Sequence, residues 1–167
     1  YAVFLDIRGY AIGMEALASS TCSANGMLYG CRFTECQTAV RLVNTHEAGF
    51  GFTECVLSGK VGIELAETFP ATLYCHSCTI RGTQTAALLG GLKSSTALFR
   101  DCSFEGAVIR SVGNASFRGC SFAGSDVPLI LEAGVNAATI VGSTFSGSGR
   151  IENRSRSKRI VISDEPV

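Results

Sequence analysis

The stretch Phe99-Arg-Asp-Cys-Ser-Phe-Glu-Gly106 returns as Phe117-Arg-Gly-Cys-Ser-Phe-Ala-Gly124, and this near-repetition decides the fold. The shared phrase is an apolar residue, two variable residues, Cys, a variable residue, an apolar residue, a variable residue and usually Gly. It recurs in both directions as Leu28/Cys31/Phe33/Glu35, Phe52/Cys55/Leu57/Gly59, Cys75/Cys78/Ile80/Gly82 and Ile140/Ser143/Phe145/Gly147. The column at 31, 55, 78, 102, 120 and 143 advances by 24, 23, 24, 18 and 23 residues. Such a period is the size of a solenoid coil and too short for helical hairpin repeats of about 33 residues or more.

Within a coil, the residues five before the column (Phe50, Leu73, Ala97, Ala115, Ala138) and three before it share a parity, as a strand with one buried face requires. Parity breaks at the residue before the Cys, which is Gly30, Glu54, Ser77, Asp101, Gly119 or Gly142. Most of these tolerate or favour a tight turn, so a sharp bend is expected there. The Cys and the apolar residue two later form a second short strand. A third begins about eight residues after the Cys, at Val40/Leu42, Ile63/Leu65, Leu88/Leu89, Val108/Ile109, Leu129/Leu131 and Ile151. The reading is an all-β, right-handed parallel β-helix of six to seven coils of 18–24 residues, with three short strands per coil. Stacking at about 4.8 Å pairs each backbone with the coil above and below and stacks like residues inside. The whole of 1–167 is read as one domain: an N-terminal coil or cap over 1–25, a repeat body over 26–153, and a C-terminal strand and tail over 154–167. Ala11 to Ser19 is expected to be a short helix or loop, and Arg150 to Ile162 closing strands.

Composition agrees with a packed domain. The 167 residues are 46% hydrophobic and 17% charged, with 14 basic residues balancing 14 acidic ones. Disorder requires the opposite combination. Zero net charge removes the electrostatic drive of a nucleic-acid binder, and no apolar run approaches the about 18 residues of a membrane span, so neither nucleic acid nor membrane insertion is expected. Tyr1 opens an apolar strand without a charged leader, which reads as a trimmed fragment of a longer chain.

Five of the eight cysteines mark the column. Parallel stacked side chains at about 4.8 Å fit disulfide geometry poorly, so these are read as small buried hydrophobes. Ser143 in the same column agrees with packing rather than bonding. Cys75-His76-Ser77-Cys78 has the form of a redox or zinc element but lacks a second ligand pair, so no metal or cofactor is expected. Cys22 and Cys36 lie outside the column and are read as surface thiols or an occasional bridge.

The two phrases quoted first resemble those of right-handed β-helix proteins of the pectate-lyase-like superfamily, including its glycosyl-hydrolase-related and phage tailspike branches, over about residues 26–153. The resemblance implies a polysaccharide or surface glycan as partner, an extracellular or virion-associated setting, and, by the tailspike branch, a homotrimer or neighbouring domains at the solenoid ends. Any catalysis would be glycoside hydrolysis or polysaccharide β-elimination. The Asn-Thr-Asp, Asp-Asp, Gly-His-Gly and Arg-Ile-Lys strings of polygalacturonase-like enzymes are absent, as are the clustered calcium-binding Asp residues of pectate lyases. No family active-site residue transfers.

The outer face of the strand starting eight residues after the Cys commonly carries the substrate groove in the resembling enzymes. Its outward candidates are Arg41, Glu64, Arg110, Glu132 and Glu152, flanked by His46, Glu47 and Glu67. Carboxylates about 5–9.5 Å apart could act as acid and base. Arg154, Arg156, Lys158 and Arg159 alternate with Ser155 and Ser157 as the outer face of a last strand. The expected function is polysaccharide binding or processing. An architectural, tail-fibre-like or adhesin-like solenoid is the alternative, favoured by the absence of Trp and the four Tyr that leave few aromatic platforms for sugar rings.

Overall fold

The computed structural model describes residues 2–17, 26–44, 49–147 and 149–164. They form a parallel β-solenoid of about six turns flanked by shorter end strands, with no helix among the described residues. Three parallel sheets run along the axis. The first holds the strands before each column residue: Ala2–Val3, Gly26–Tyr29, Phe50–Thr53, Thr72–His76, Thr96–Arg100, residues 114–118 and 137–141, and Ile160–Ser163. The second follows the column, as in Ser103–Glu105 and Ser121–Ala123. The third contains the segments beginning near 38, 61, 85, 108, 129 and 151.

The three short strands per coil are joined differently along the chain. Arg32–Asn44, Val56–Leu65 and Thr79–Leu89 carry the second sheet into the third without a break, whereas Val108–Arg118 and Leu129–Val141 carry the third into the next first strand. Register shifts between Phe33 and Cys36, Gly59 and Val61, and Arg110 and Val112 mark the corners inside these long strands. A one- or two-residue irregularity bends the strand while ladder bonding resumes beyond it.

The bend before each column residue is a single residue in the left-handed region. Its φ is 60° at Gly30, 55° at Glu54, 52° at Ser77, 53° at Asp101, 61° at Gly119 and 56° at Gly142. The column side chain turns back on this bend. The thiols of Cys31, Cys55, Cys78, Cys102 and Cys120 donate to the carbonyl oxygen two residues earlier, at 3.4, 3.3, 3.4, 3.3 and 3.5 Å. Ser143 Oγ does the same to Val141 at 3.3 Å. The column therefore needs a small side chain with a weak donor, which is why Cys and Ser interchange there. A non-glycine residue in this conformation costs about 1–2 kcal/mol, against the about 0.5–1 kcal/mol that glycine loses in entropy. Glu54→Gly is accordingly expected to raise unfolding stability by about 0.5–1 kcal/mol in urea titration; a lower midpoint would contradict the strain argument.

Every described cysteine is buried and unbridged. Cys36 is no surface thiol: its Sγ donates to Thr34 carbonyl at 3.3 Å, behind Glu35 at φ 59°. Cys22 lies outside the described residues. Burial, and then the Cys78 thiol, push Cys75 well above the usual range, and a thiol contact with Cys120 leads the rise of Cys102 to about 12. The same contact lowers Cys120, so it is burial that should keep the folded column inert, because a reagent must reach the thiolate to react. In a Cys22→Ser protein, dithionitrobenzoate is expected to leave the native state unlabelled and to count the other seven of the eight thiols after denaturation; rapid native labelling would overturn the burial.

Two further expectations change. Ile12–Leu17 is a strand, because Met14 and Ala16 align with Val40 and Leu42 on the core side. The closing strands are Ile151–Asn153 and Ile160–Ser163, but 154–159 form a corner between them. Ser155 and Ser157 turn inward there to donate to the carbonyls of Val135 and Asn136, so the basic run is no strand face.

The core is made of columns. Phe99 and Phe117 stack with centroids 5.2 Å apart and planes 3° from parallel. Phe104, Phe122 and Phe145 form a second stack at 5.0 and 4.7 Å, with Phe104 and Phe122 set edge-on to Phe117. A third column reads Leu42, Leu65, Leu89, Arg110, Leu131 by register. Arg110 thus points inward and is fully buried, which removes it from the outward candidates. Its Nη1 donates to the carbonyls of Leu89 and Gly90 at 3.3 and 2.8 Å, and its Nη2 to Ser95 O and Oγ, both at 2.9 Å.

Candidate functional site

The outer ladder of the third sheet runs Glu15, Arg41, Glu64, Leu88, Ile109, Ile130, Glu152 by register. Arg41 and Glu64 meet at 3.5 Å, and Arg41 also lies 3.6 Å from Glu15. Glu15 was hidden by the helical reading of its strand; the alternation Ile12, Met14, Ala16 was the available signal. Glu132 and Glu152 also come together, both on Arg154, at 2.6 and 2.9 Å. Leu88, Ile109 and Ile130 separate the two clusters.

This geometry limits the chemistry. Glu64 and Glu152 stand four rungs apart, about 19 Å at about 4.8 Å per rung, beyond the reach of an acid–base pair. Within each cluster an arginine bridges the carboxylates. The Arg154 hydrogen bond, more than its charge alone, holds the Glu152 carboxyl below the usual carboxylate range, the reverse of what a general acid needs. The outer surface here is a self-neutralised ladder. Glu67 is exposed at a turn, and His46 and Glu47 lie outside the described residues. Cys75 and Cys78 are buried, and no group of His, Cys, Asp and Glu could hold a metal ion among the described residues.

The outer face of the first sheet is built differently. One ladder reads Thr53, His76, Arg100, Arg118, Val141, and beside it runs Gly51, Tyr74, Leu98, Ser116, Thr139. Across both lies an open groove of about 260 Å³ lined by Tyr74, Leu98, Phe99, Arg100, Ser116 and Arg118. Asp101 lies beside this ladder, 3.6 Å from His76 Nε2 and 3.8 Å from Arg100 Nε. Arg118 has no ion pair or side-chain hydrogen bond among the described residues. The sequence carried a signal for this pair, since Arg100 and Arg118 both follow the phenylalanine that opens the repeated phrase.

Comparison with protein families, curated proteins and solved structures gives no match. The functional reading therefore rests on these surfaces. A second trough of about 340 Å³ lies over the corner between the second and third sheets. Gly59, Gly82, Gly106 and Gly124 line it with Ser58 and Thr83, and Arg81 and Glu105 pair across it at 2.9 Å. No helix among the described residues is long and apolar enough to cross a membrane.

Proposed function

We propose that the chain is a non-catalytic polysaccharide-binding β-solenoid. The observation that carries this reading is the groove on the first sheet, where Tyr74 and Leu98 offer apolar surface on adjacent rungs beside Ser116, Arg100 and Arg118. An aromatic residue next to hydrogen-bonding side chains is suited to saccharides, and a groove crossing three successive rungs is suited to a polymer. The repeat phrase resembles that of pectate-lyase-like solenoids, whose partners are polysaccharides. Binding is favoured over cleavage because the carboxylates of the third sheet are bridged by Arg41 and Arg154.

Native gels cast with neutral or acidic polysaccharides test this. Retarded migration is expected in at least one polymer, without new reducing ends or unsaturated products after prolonged incubation. Absence of retardation in all of them would favour an architectural solenoid whose ends join neighbouring domains or other copies. Release of reducing ends would instead make the chain an enzyme.

A further inference from the structure

Stacked like charges are the unusual feature of the first sheet. In a parallel ladder, facing side chains on neighbouring strands are about 4.8 Å apart, and like charges placed there oppose pairing. The third sheet avoids this by alternation, Glu15 to Arg41 to Glu64. The first sheet does not: Arg118 lies directly over Arg100. Asp101 reaches Arg100 and His76 but is placed to one side and shared between them. Arg100 and Arg118 also rim the groove floored by Tyr74 and Leu98. A cation pair maintained against its own repulsion, beside an aromatic and apolar floor, is matched by a chain carrying anions along one edge and sugar faces along the other.

We propose that the first sheet binds an acidic polysaccharide, bearing carboxylate or sulfate groups, laid along the solenoid axis. Arg100 and Arg118 take anionic groups on successive rungs, and Tyr74 and Leu98 pack against the sugar between them. This rests on the binding reading above and supplies its ligand class and its face. That face is distinct from the third sheet, where the resemblance to pectate-lyase-like solenoids implies a groove. A neutral polymer would leave Arg118 without a counter-charge, and a single-stranded nucleic acid would find Tyr74 for its bases but not Phe99, which is buried in the core beneath the groove.

Affinity electrophoresis of the whole chain in alginate, dextran sulfate and neutral dextran, with polydeoxythymidylate alongside, tests the proposal. Retardation is expected in alginate, dextran sulfate or both, identifying carboxylate or sulfate as the group recognised, and it should weaken as salt rises. Arg100→Gln/Arg118→Gln should weaken it at least about tenfold, the loss of two charge-assisted contacts, with an unchanged or slightly raised Tm because repulsion is relieved. Arg156→Gln/Arg159→Gln removes the same charge elsewhere and should leave binding within about twofold, as a long-range effect screened by salt allows. Equal weakening by both pairs would overturn the site, leaving only bulk charge. Retardation by dextran alone would overturn the acidic ligand while keeping the polysaccharide reading. Stronger retention of polydeoxythymidylate than of either acidic glycan would replace it with a nucleic acid, and no retention at all would remove both readings.

Discussion

Replacing Arg110 with alanine is expected to destabilise the solenoid by about 4 kcal/mol, within the range for emptying a large buried site. The guanidinium donates to Leu89 O, Gly90 O, Ser95 O and Ser95 Oγ, so it ties the third sheet to the corner leading into Thr96–Arg100. Without it those buried acceptors lose their donor, and each such loss costs about 1–3 kcal/mol. The cation is itself unfavourable where it lies. Burial pushes its pKa down to about 10, leaving it charged at neutral pH, and its Nε makes no hydrogen bond. Arg110→Leu should therefore lose only about half as much as alanine, since leucine continues the column of Leu89 and Leu131 and removes the desolvated charge. Chemical denaturation of the two variants separates these contributions. An alanine cost below about 1 kcal/mol would show that the corner holds without its staple.

Phe117→Ala is the second large effect, expected at about 3–5 kcal/mol. Phe117 is stacked on Phe99 and edge-on to Phe104 and Phe122, so its loss opens a cavity shared by both aromatic columns. Leucine should cost about 1.5 kcal/mol or less, because other rungs of the same column carry Leu28, Phe52 and Ile140. The form of the transition matters as much as its midpoint. In a solenoid each coil touches only its neighbours, so a weakened inner rung uncouples the coils on either side of it. A broadened urea transition with a lower apparent m is expected for alanine and a sharp one for leucine. A sharp alanine transition would mean that coupling passes through the backbone ladder alone.

The coil was legible in the chain because its cause is local and repeated. An apolar pair, a left-handed bend and a small donor recur at 31, 55, 78, 102, 120 and 143, and each copy reads the same way. The site was less legible because it depends on parity across corners. Arg41 and Glu64, ten and nine residues after the column, do face outward, but Arg110, eight after it, is aligned with Leu89 and Leu131, and the outward position is Ile109. The outward residue lies 10, 9 and 10 residues after Cys31, Cys55 and Cys78 but only 7 after Cys102, so a fixed count falls on the wrong face of the strand there. Glu15 was missed for a related reason: its alanine-rich strand has good helix formers, and only pairing with 38–44 decides against them.

The amino-acid sequence by itself determined the parallel solenoid, its three-strand coil and its interior cysteine column, since these follow from a period that each coil states independently. Only the tertiary structure decided which charges meet. Neighbours on an outer ladder are 18 to 26 residues apart in the chain, and their contact depends on where each corner inserts or omits a residue. That is why Glu15, Arg41 and Glu64 neutralise one another on one face, while Arg100 and Arg118 stack as like charges above His76 on another.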